Sequence, residues 1–191
     1  MGREFELKYR CSDSDFESLK ADFSGFRTIE METTYYDTFD AKLNFRHWTL
    51  RRRYENGVSV CTLKIPAGKA RAEFETENVF IQNAIPEFIT QGAPDEVKTL
   101  AQEGLIPICG AKFTRLAKVL ELDGAVAELA LDYGCLFAGE KKETLCEAEL
   151  ELKSGDMAAF DRYVQNFAKE YGLQEEPKSK FARALKLYKG E

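Results

Sequence analysis

Length, composition and charge restrict this protein to a few classes. The chain has 191 residues, of which 44% are hydrophobic and 31% are charged, a balance typical of folded globular proteins rather than disordered ones. The formal net charge of -6 argues against a general binder of nucleic acids or anionic membranes, because such proteins are basic. Any anion site therefore needs a local concentration of lysine and arginine.

The numbers of cysteine and histidine residues further restrict the kinds of functional site that the chain can form. The five cysteines are odd in number and form no Cys-x-x-Cys pair, which favours reduced thiols. The single histidine, His47, nearly excludes a soft-metal site or a Ser/Cys–His nucleophile. No apolar run has the length of a signal peptide or a membrane span, so we expect a cytoplasmic protein without membrane partners.

The first predicted elements are a strand and a helix. The octapeptide REFELKYR at residues 3–10 alternates charged and apolar side chains, as strands do. Residues 12–23 form a predicted helix, in which Ser14 and Glu17 have capping-box spacing. Asn56-Gly57 predicts a hairpin turn between two of the short strands that follow. These strands are predicted at residues 33–36, 48–54, 58–65 and 70–80.

Helices and further strands follow in the second half of the chain. The segments IPEFITQ and PDEVKTLAQEG indicate two short helices with proline starts, the second of them stopped by glycine. A second hairpin turn is predicted at Asp123-Gly124, and helices are predicted at residues 155–172 and 179–188. The remaining strands are predicted at residues 112–122, 124–132 and 144–152. The pattern favours one α+β domain over residues 1–191, with about eight antiparallel strands.

Almost every predicted strand has one charged row and one mostly apolar row. A solvated sheet face would explain this alternation alone. However, like charges occur in runs, long ionic side chains predominate, and acids share the face with bases. Carboxylate clusters bind hard cations and Arg/Lys clusters bind phosphates, so we interpret the face as a site for a metal–polyphosphate ligand. Its acids are Glu4, Glu6, Glu73, Glu75, Glu77, Glu128, Asp132, Glu147, Glu149 and Glu151, and its bases are Lys8, Arg51, Arg53, Lys64, Arg71 and Arg115.

A set of motifs then suggests a family. The stretch EFELK at residues 4–8 has the pattern Glu-x-Glu-x-Lys, and this pattern alone is weak. The other motifs that occur in the family's order are YYDT (35–38), LRRR (50–53), TLK (62–64), RAEFE (71–75), ELALD (128–132), CEAELELKSGD (146–156) and SKFAR (179–183). Over essentially its whole length the chain resembles the CYTH superfamily of triphosphate tunnel metalloenzymes, above all the bacterial inorganic triphosphatases.

The resemblance implies a fold, an activity and residue roles. The fold would be an eight-stranded antiparallel β-barrel whose charged face lines a tunnel, with amphipathic helices outside. The activity would be metal-dependent hydrolysis of tripolyphosphate, a small-molecule substrate, to pyrophosphate and phosphate. Apart from the resemblance, we expect a monomer or homodimer. Glu4, Glu6, Asp132, Glu147 and Glu149 would hold Mg²⁺ or Mn²⁺, and Glu4, Glu6, Lys8, Glu147 and Glu149 would act in catalysis. Lys8, Arg51, Arg53, Lys64, Arg71, Arg115, Lys180 and Arg183 would bind the triphosphate.

Two departures from the family pattern bear on the substrate and the domain content. Thr49 stands where thiamine-triphosphatase-like members have an aromatic residue, and Trp48 falls on the opposite strand face, which favours packing. Larger bacterial relatives carry a helical C-terminal domain, so we expect this chain to be the catalytic module alone. A class IV adenylate cyclase and a thiamine or nucleoside triphosphatase stay open as alternatives. A non-catalytic polyphosphate- or nucleotide-binding barrel is also open, although two acidic rows exceed what phosphate binding needs.

Overall fold

The computed structural model of the chain describes residues 5–68 and 70–190. Within these residues the chain forms nine strands and six helices. The strands are β1 (Phe5–Arg10), β2 (Arg27–Thr38), β3 (Thr49–Glu55), β4 (Val58–Ala67), β5 (Ala70–Glu77), β6 (Leu105–Leu122), β7 (Ala125–Ala138), β8 (Lys141–Gly155) and β9 (Gln174–Glu175). The helices are α1 (Asp13–Asp22), α2 (Lys42–Phe45), α3 (Ile81–Thr90), α4 (Glu96–Gln102), α5 (Met157–Glu170) and α6 (Lys180–Lys189).

The strands pair in one sheet, in the order β5-β4-β3-β2-β6-β7-β8-β1-β9. Strand β1 pairs antiparallel with β8 and β9, and β2 through β5 pair antiparallel in succession. The predicted antiparallel α+β fold class is confirmed. The predicted number of eight strands and the predicted closure of the sheet into a barrel need correction. The two-residue strand β9 occupies the outer edge of β1, and across the described residues the order ends at β5 and β9 instead of closing.

The capping box of helix α1 lies two residues earlier in the chain than the sequence spacing predicts. The Ser12 hydroxyl accepts a hydrogen bond from the Asp15 backbone N–H at 3.2 Å, and the Asp15 carboxylate accepts one from the Ser12 N–H at 2.8 Å. The predicted pair of Ser14 and Glu17 is wrong because the helix already begins at Asp13, which places Ser14 inside the first turn.

Helix α3 contains the proline that was predicted to start it. It begins at Ile81 and carries Pro86 in its interior, where proline costs about 3 kcal/mol in an isolated helix. Ile81, Ile85 and Phe88 lie on one face of α3 and are buried in a hydrophobic cluster with residues of β3 and β4. This burial offsets the proline penalty, since each large apolar side chain contributes about 1.5–3 kcal/mol when fully buried.

The described chain divides into two compact units. The first contains the chain up to Ile29 with Phe113–Cys135 and Thr144–Ser179, and the second contains Glu30–Lys112, Leu136–Glu143 and the chain from Lys180 onward. Helices α1 and α5 contribute to the hydrophobic core of the first unit, and α3 and α4 to that of the second. The single-domain organisation stays a prediction. None of the helices in the described ranges is long and apolar enough to cross a membrane.

Candidate functional site

One face of β1 and β8 in the first unit is charged. The register places Glu6 opposite Glu151 and Lys8 opposite Glu149, and directly opposed residues of antiparallel strands lie on the same face. The other face carries Leu7 and Leu150, which pack in the hydrophobic core. The alternation predicted from the sequence is therefore confirmed for these two strands, and helices α1 and α5 lie on the apolar side.

Three buried carboxylates cluster on this charged side. Asp132 on β7 and Glu147 and Glu149 on β8 each offer an oxygen, and these oxygens lie within 4.8 Å of one another. Asp132 and Glu147 are fully buried, and Glu149 is 6% exposed. Clustered carboxylate oxygens are the ligands that Mg²⁺ and Mn²⁺ prefer, whereas zinc prefers sulfur or imidazole. The structure thus brings together three of the five predicted metal ligands in a set that fits such an ion.

Arg115 on β6 is an integral part of this carboxylate cluster. Its Nε and Nη2 donate to the two oxygens of Asp132, each at 2.7 Å, and Nη2 also donates to Glu149 at 2.5 Å. Burial alone would lower the pKa of Arg115, but the hydrogen bond and charge of Asp132 and the charges of Glu149 and Glu6 hold its pKa above the ordinary value. Arg115 was predicted to bind substrate, and here its guanidinium binds two predicted metal ligands.

The remaining predicted residues of β1 flank the carboxylate cluster. Glu6 is near enough to Arg115 to raise the pKa of its guanidinium, and its carboxylate lies 3.7 Å from the Lys8 ammonium. Lys8 lies opposite Glu149 in the ladder. Glu4, a predicted metal ligand and catalytic residue, lies outside the described residues.

Two further acids on β7 and β8 have a separate partner. The Lys153 ammonium lies 2.7 Å from Glu151 and 3.5 Å from Glu128. Both carboxylates remain partly exposed to solvent. Glu151 is thus an acid of the same strand and face as Glu147 and Glu149, but it belongs to a surface ion pair and makes a natural control for them.

In the second unit, β3 and β4 carry the predicted basic residues on one face. The register places Arg51 opposite Thr62 and Lys64 opposite Thr49, and the side chains of Arg51 and Lys64 are largely buried, with 17% and 24% exposed. Lys64 lies 2.8 Å from Glu73 and Arg51 lies 4.0 Å from Glu75. We call Arg51, Arg53 and Lys64 the basic face.

The Arg51 guanidinium has one buried donor that the described residues leave unpaired. Its Nε is buried and has no hydrogen-bond partner within the described part of the chain. A buried donor without an acceptor costs about 1–3 kcal/mol, and more when it is charged. A phosphate oxygen would satisfy this donor and would match the planar geometry of the guanidinium.

Tyr35 is a candidate to which the sequence analysis gave no role in substrate binding. Its ring is buried and lies 4.6 Å from the ring of Phe181, centroid to centroid. Burial raises the pKa of Tyr35, while the charge of Arg51, a hydrogen bond with it and the charge of Lys180 oppose this shift. The signal was present in the hairpin register, because Tyr35 lies directly opposite Arg51 on the same face. Tyr35 thus lies close to the predicted substrate-binding residues Arg51 and Lys180.

The structure places Arg183 and Arg71 differently from this group. Arg183 on α6 is 8% exposed, and its Nε and Nη2 donate to the Glu143 carboxylate at 3.2 and 2.8 Å. This pairing gives Arg183 a part in fixing α6 to the start of β8. Arg71 is exposed and lies opposite Pro66 in the β4–β5 ladder. Substrate binding by either residue stays a prediction.

Comparison with known proteins identifies the family of this chain. The CYTH domain matches residues 2–185. The chain belongs to the CYTH family. This CYTH chain is 27% identical over 197 residues to the inorganic triphosphatase of Haemophilus influenzae, an alignment that covers 98% of this chain and 55% of that protein. The chain therefore spans about half the length of this curated relative.

Solved structures support the CYTH fold independently of sequence identity. HpAC1 from Hippeastrum, a protein with a dominant triphosphatase activity, matches with a TM-score of 0.65 at 19% identity, over 99% of this chain and 97% of that one. The PH1819 protein of Pyrococcus horikoshii OT3 matches with a TM-score of 0.56 at 23% identity, over 96% of this chain and 99% of that one. These likenesses show the shared fold.

Proposed function

We propose that this CYTH protein is a metal-dependent hydrolase that cleaves inorganic triphosphate to pyrophosphate and phosphate. The observation that carries the proposal is the cluster of three buried carboxylates, whose oxygens lie within 4.8 Å of one another. The name of the Haemophilus influenzae relative and the triphosphatase activity stated for HpAC1 support the same reaction class. Residues 1–191 would act as one catalytic domain, as a cytoplasmic monomer or homodimer, on a small-molecule substrate.

The first unit is proposed to hold the metal ion. Asp132, Glu147 and Glu149 would bind Mg²⁺ or Mn²⁺, with Glu6 and Glu4 as the further predicted ligands. A bound divalent cation supplies Lewis-acid polarisation of phosphoryl oxygens and lowers the pKa of a bound water. The carboxylates fix the position of the ion, and their burial strengthens electrostatic attraction by reducing solvent screening.

The basic face of the second unit is proposed to bind the phosphoryl groups. Negative charge moves along the phosphate chain towards the leaving pyrophosphate during cleavage. Arg51, Arg53 and Lys64, with Lys180 on α6, would neutralise this charge more strongly in the transition state than in the ground state. The Tyr35 hydroxyl, through its hydrogen bond with Arg51, would hold the guanidinium in one orientation.

The structure offers little support for binding of the organic part of a larger substrate. Trp48, the aromatic residue nearest to the position that could stack on thiamine, is partly buried against the hydrophobic core of the second unit. This contact agrees with the predicted packing role. We therefore favour inorganic triphosphate over thiamine triphosphate, and we keep adenylate cyclisation and nucleoside triphosphate hydrolysis as outcomes of the test.

The proposal is tested by measuring turnover of tripolyphosphate, ATP and thiamine triphosphate with Mg²⁺, Mn²⁺ or chelator. The proteins are wild type, Glu149→Gln, and the matched control Glu151→Gln from the same strand and face. We expect metal-dependent phosphate release that is fastest for tripolyphosphate, lost in Glu149→Gln and retained in Glu151→Gln. Cyclic AMP production from ATP would indicate a cyclase instead. Tight binding of all three compounds without turnover in any metal would leave a polyphosphate-binding protein.

A further inference from the structure

Arg115 already occupies part of the coordination space of the carboxylate cluster. Its guanidinium binds both oxygens of Asp132 and one oxygen of Glu149. Two of the three clustered carboxylates are therefore engaged by one protein cation in the described structure. Such a planar, forked arrangement is specific to arginine, because a lysine ammonium offers a single charged point.

A divalent cation and this guanidinium need the same oxygens. An ion bound among Asp132, Glu147 and Glu149 would lie a few ångströms from the Arg115 guanidinium, and the two positive charges would repel each other. We propose that Arg115 is a built-in counter-cation of the cluster, and that a divalent cation binds by displacing it from at least one carboxylate. This inference rests on the metal site of the proposed function and adds a competitor that sets the metal affinity.

The surroundings of Arg115 allow such a displacement. The guanidinium carbon lies 5.8 Å from the centre of the Phe113 ring, and an aromatic face is a favourable neighbour for a guanidinium. The Arg115 side chain is 20% exposed, so the displaced guanidinium can keep some contact with water. Once displaced, the guanidinium is available to a phosphoryl oxygen, which is the role that the family resemblance implies for Arg115.

The competing view makes the opposite prediction. Groups that hydrogen-bond to metal ligands often orient them, and removal of such a group weakens metal binding by about 10–100-fold. If Arg115 only positioned Asp132 and Glu149, its loss would lower the metal affinity. If Arg115 competes with the metal, its loss raises the affinity. The sign of the change therefore separates the two roles.

The experiment is a calorimetric titration of metal-free protein with Mn²⁺ in the absence of any phosphate compound. Wild type is compared with Arg115→Met, Arg115→Lys, and the control Lys153→Met, which removes from the same unit a positive charge that forms ion pairs with Glu128 and Glu151. We expect Arg115→Met to bind Mn²⁺ about tenfold more tightly than wild type, within the usual range of coupling between two ligands. Arg115→Lys should have a Mn²⁺ affinity between those of wild type and Arg115→Met. Lys153→Met should change the affinity by less than about threefold, as for a screened surface charge.

Thermal melts keep the test valid if Arg115→Met folds poorly without metal. Under the proposal its melting temperature is below that of wild type in chelator, and Mn²⁺ restores it by a larger increment than in wild type. Unchanged or weaker Mn²⁺ binding in Arg115→Met, or an equal gain in Lys153→Met, would overturn the inference while leaving metal-dependent turnover intact. Tighter Mn²⁺ binding in the variant, without turnover by wild type, would support the inference and refute the proposed function. Absence of Mn²⁺ binding in every protein would overturn both.

Discussion

Replacement of Glu147 by glutamine should stabilise the metal-free protein and remove its response to metal. Glu147 is fully buried, and its carboxylate lies within 4.8 Å of those of Asp132 and Glu149. Negative charges on carboxylates at this spacing repel one another, and a divalent cation relieves that repulsion. Glutamine has nearly the same shape as glutamate, so the change removes a charge and a metal ligand with little loss of packing.

The size of the effect follows from the separation of the oxygens. Two unit charges about 4.8 Å apart repel by about 3 kcal/mol at an effective dielectric constant of about 20, and Glu147 takes part in two such pairs. Glutamine also weakens the interactions that the Glu147 carboxylate makes with its neighbours, and this loss offsets most of the gain. A net stabilisation of about 1 kcal/mol would raise the melting temperature of a protein of this size by about 2–4 °C.

Thermal melts in chelator and in Mg²⁺ or Mn²⁺ measure this prediction. Glu147→Gln should melt higher than wild type in chelator and should show little further increase with metal. The control Glu151→Gln changes the same residue type on the same strand, but at an ion pair with Lys153. It should melt slightly lower and keep the full response to metal. A lower melting temperature for Glu147→Gln in chelator, together with a retained metal response, would refute the reasoning.

Three further predictions concern the second unit. Arg51→Met should lower kcat/KM for tripolyphosphate by about 10²–10³-fold, the usual loss for one transition-state donor, whereas Arg46→Met, at an exposed ion pair with Glu96, should leave it unchanged in steady-state assays. Asp37→Ala should lower the free energy of unfolding by about 3 kcal/mol in denaturant titrations, because the buried carboxylate accepts hydrogen bonds from three backbone N–H groups. Burial raises the pKa of the Cys109 thiol from 9.0 to about 12, so the folded state keeps the proton that the unfolded state loses. The free energy of unfolding should therefore fall as the pH rises from about 9 towards 12, and Cys109→Ala should show a smaller fall.

The two-residue period of strands explains which parts of the site were predictable from the sequence. Charged and apolar residues alternate in β1 and β8, and the structure confirms that Lys8 and Glu149 share one face while Leu7 and Leu150 pack in the core. The hairpin at Asn56-Gly57 was predictable because both residues adopt the positive φ angles that such a turn requires.

Interactions over long sequence separations were not predictable in the same way. Arg115 meets Glu149 34 residues later, and no predicted turn joins their two strands, so the alternation within each strand does not determine how they come together. The same holds for Arg183 and Glu143, which are 40 residues apart. Strand β9 has only two residues, too few to show any alternation, so the sequence did not predict the ninth strand.

The most direct test of the account is the rate of phosphate release from tripolyphosphate by wild-type protein, measured as Mg²⁺ or Mn²⁺ is raised from chelator to saturation. The account predicts no turnover in chelator, a rate that rises with metal to a plateau, and equal amounts of pyrophosphate and phosphate as products. A rate that is the same in chelator and in metal would contradict the assignment of the Asp132, Glu147 and Glu149 cluster as the metal site that drives hydrolysis.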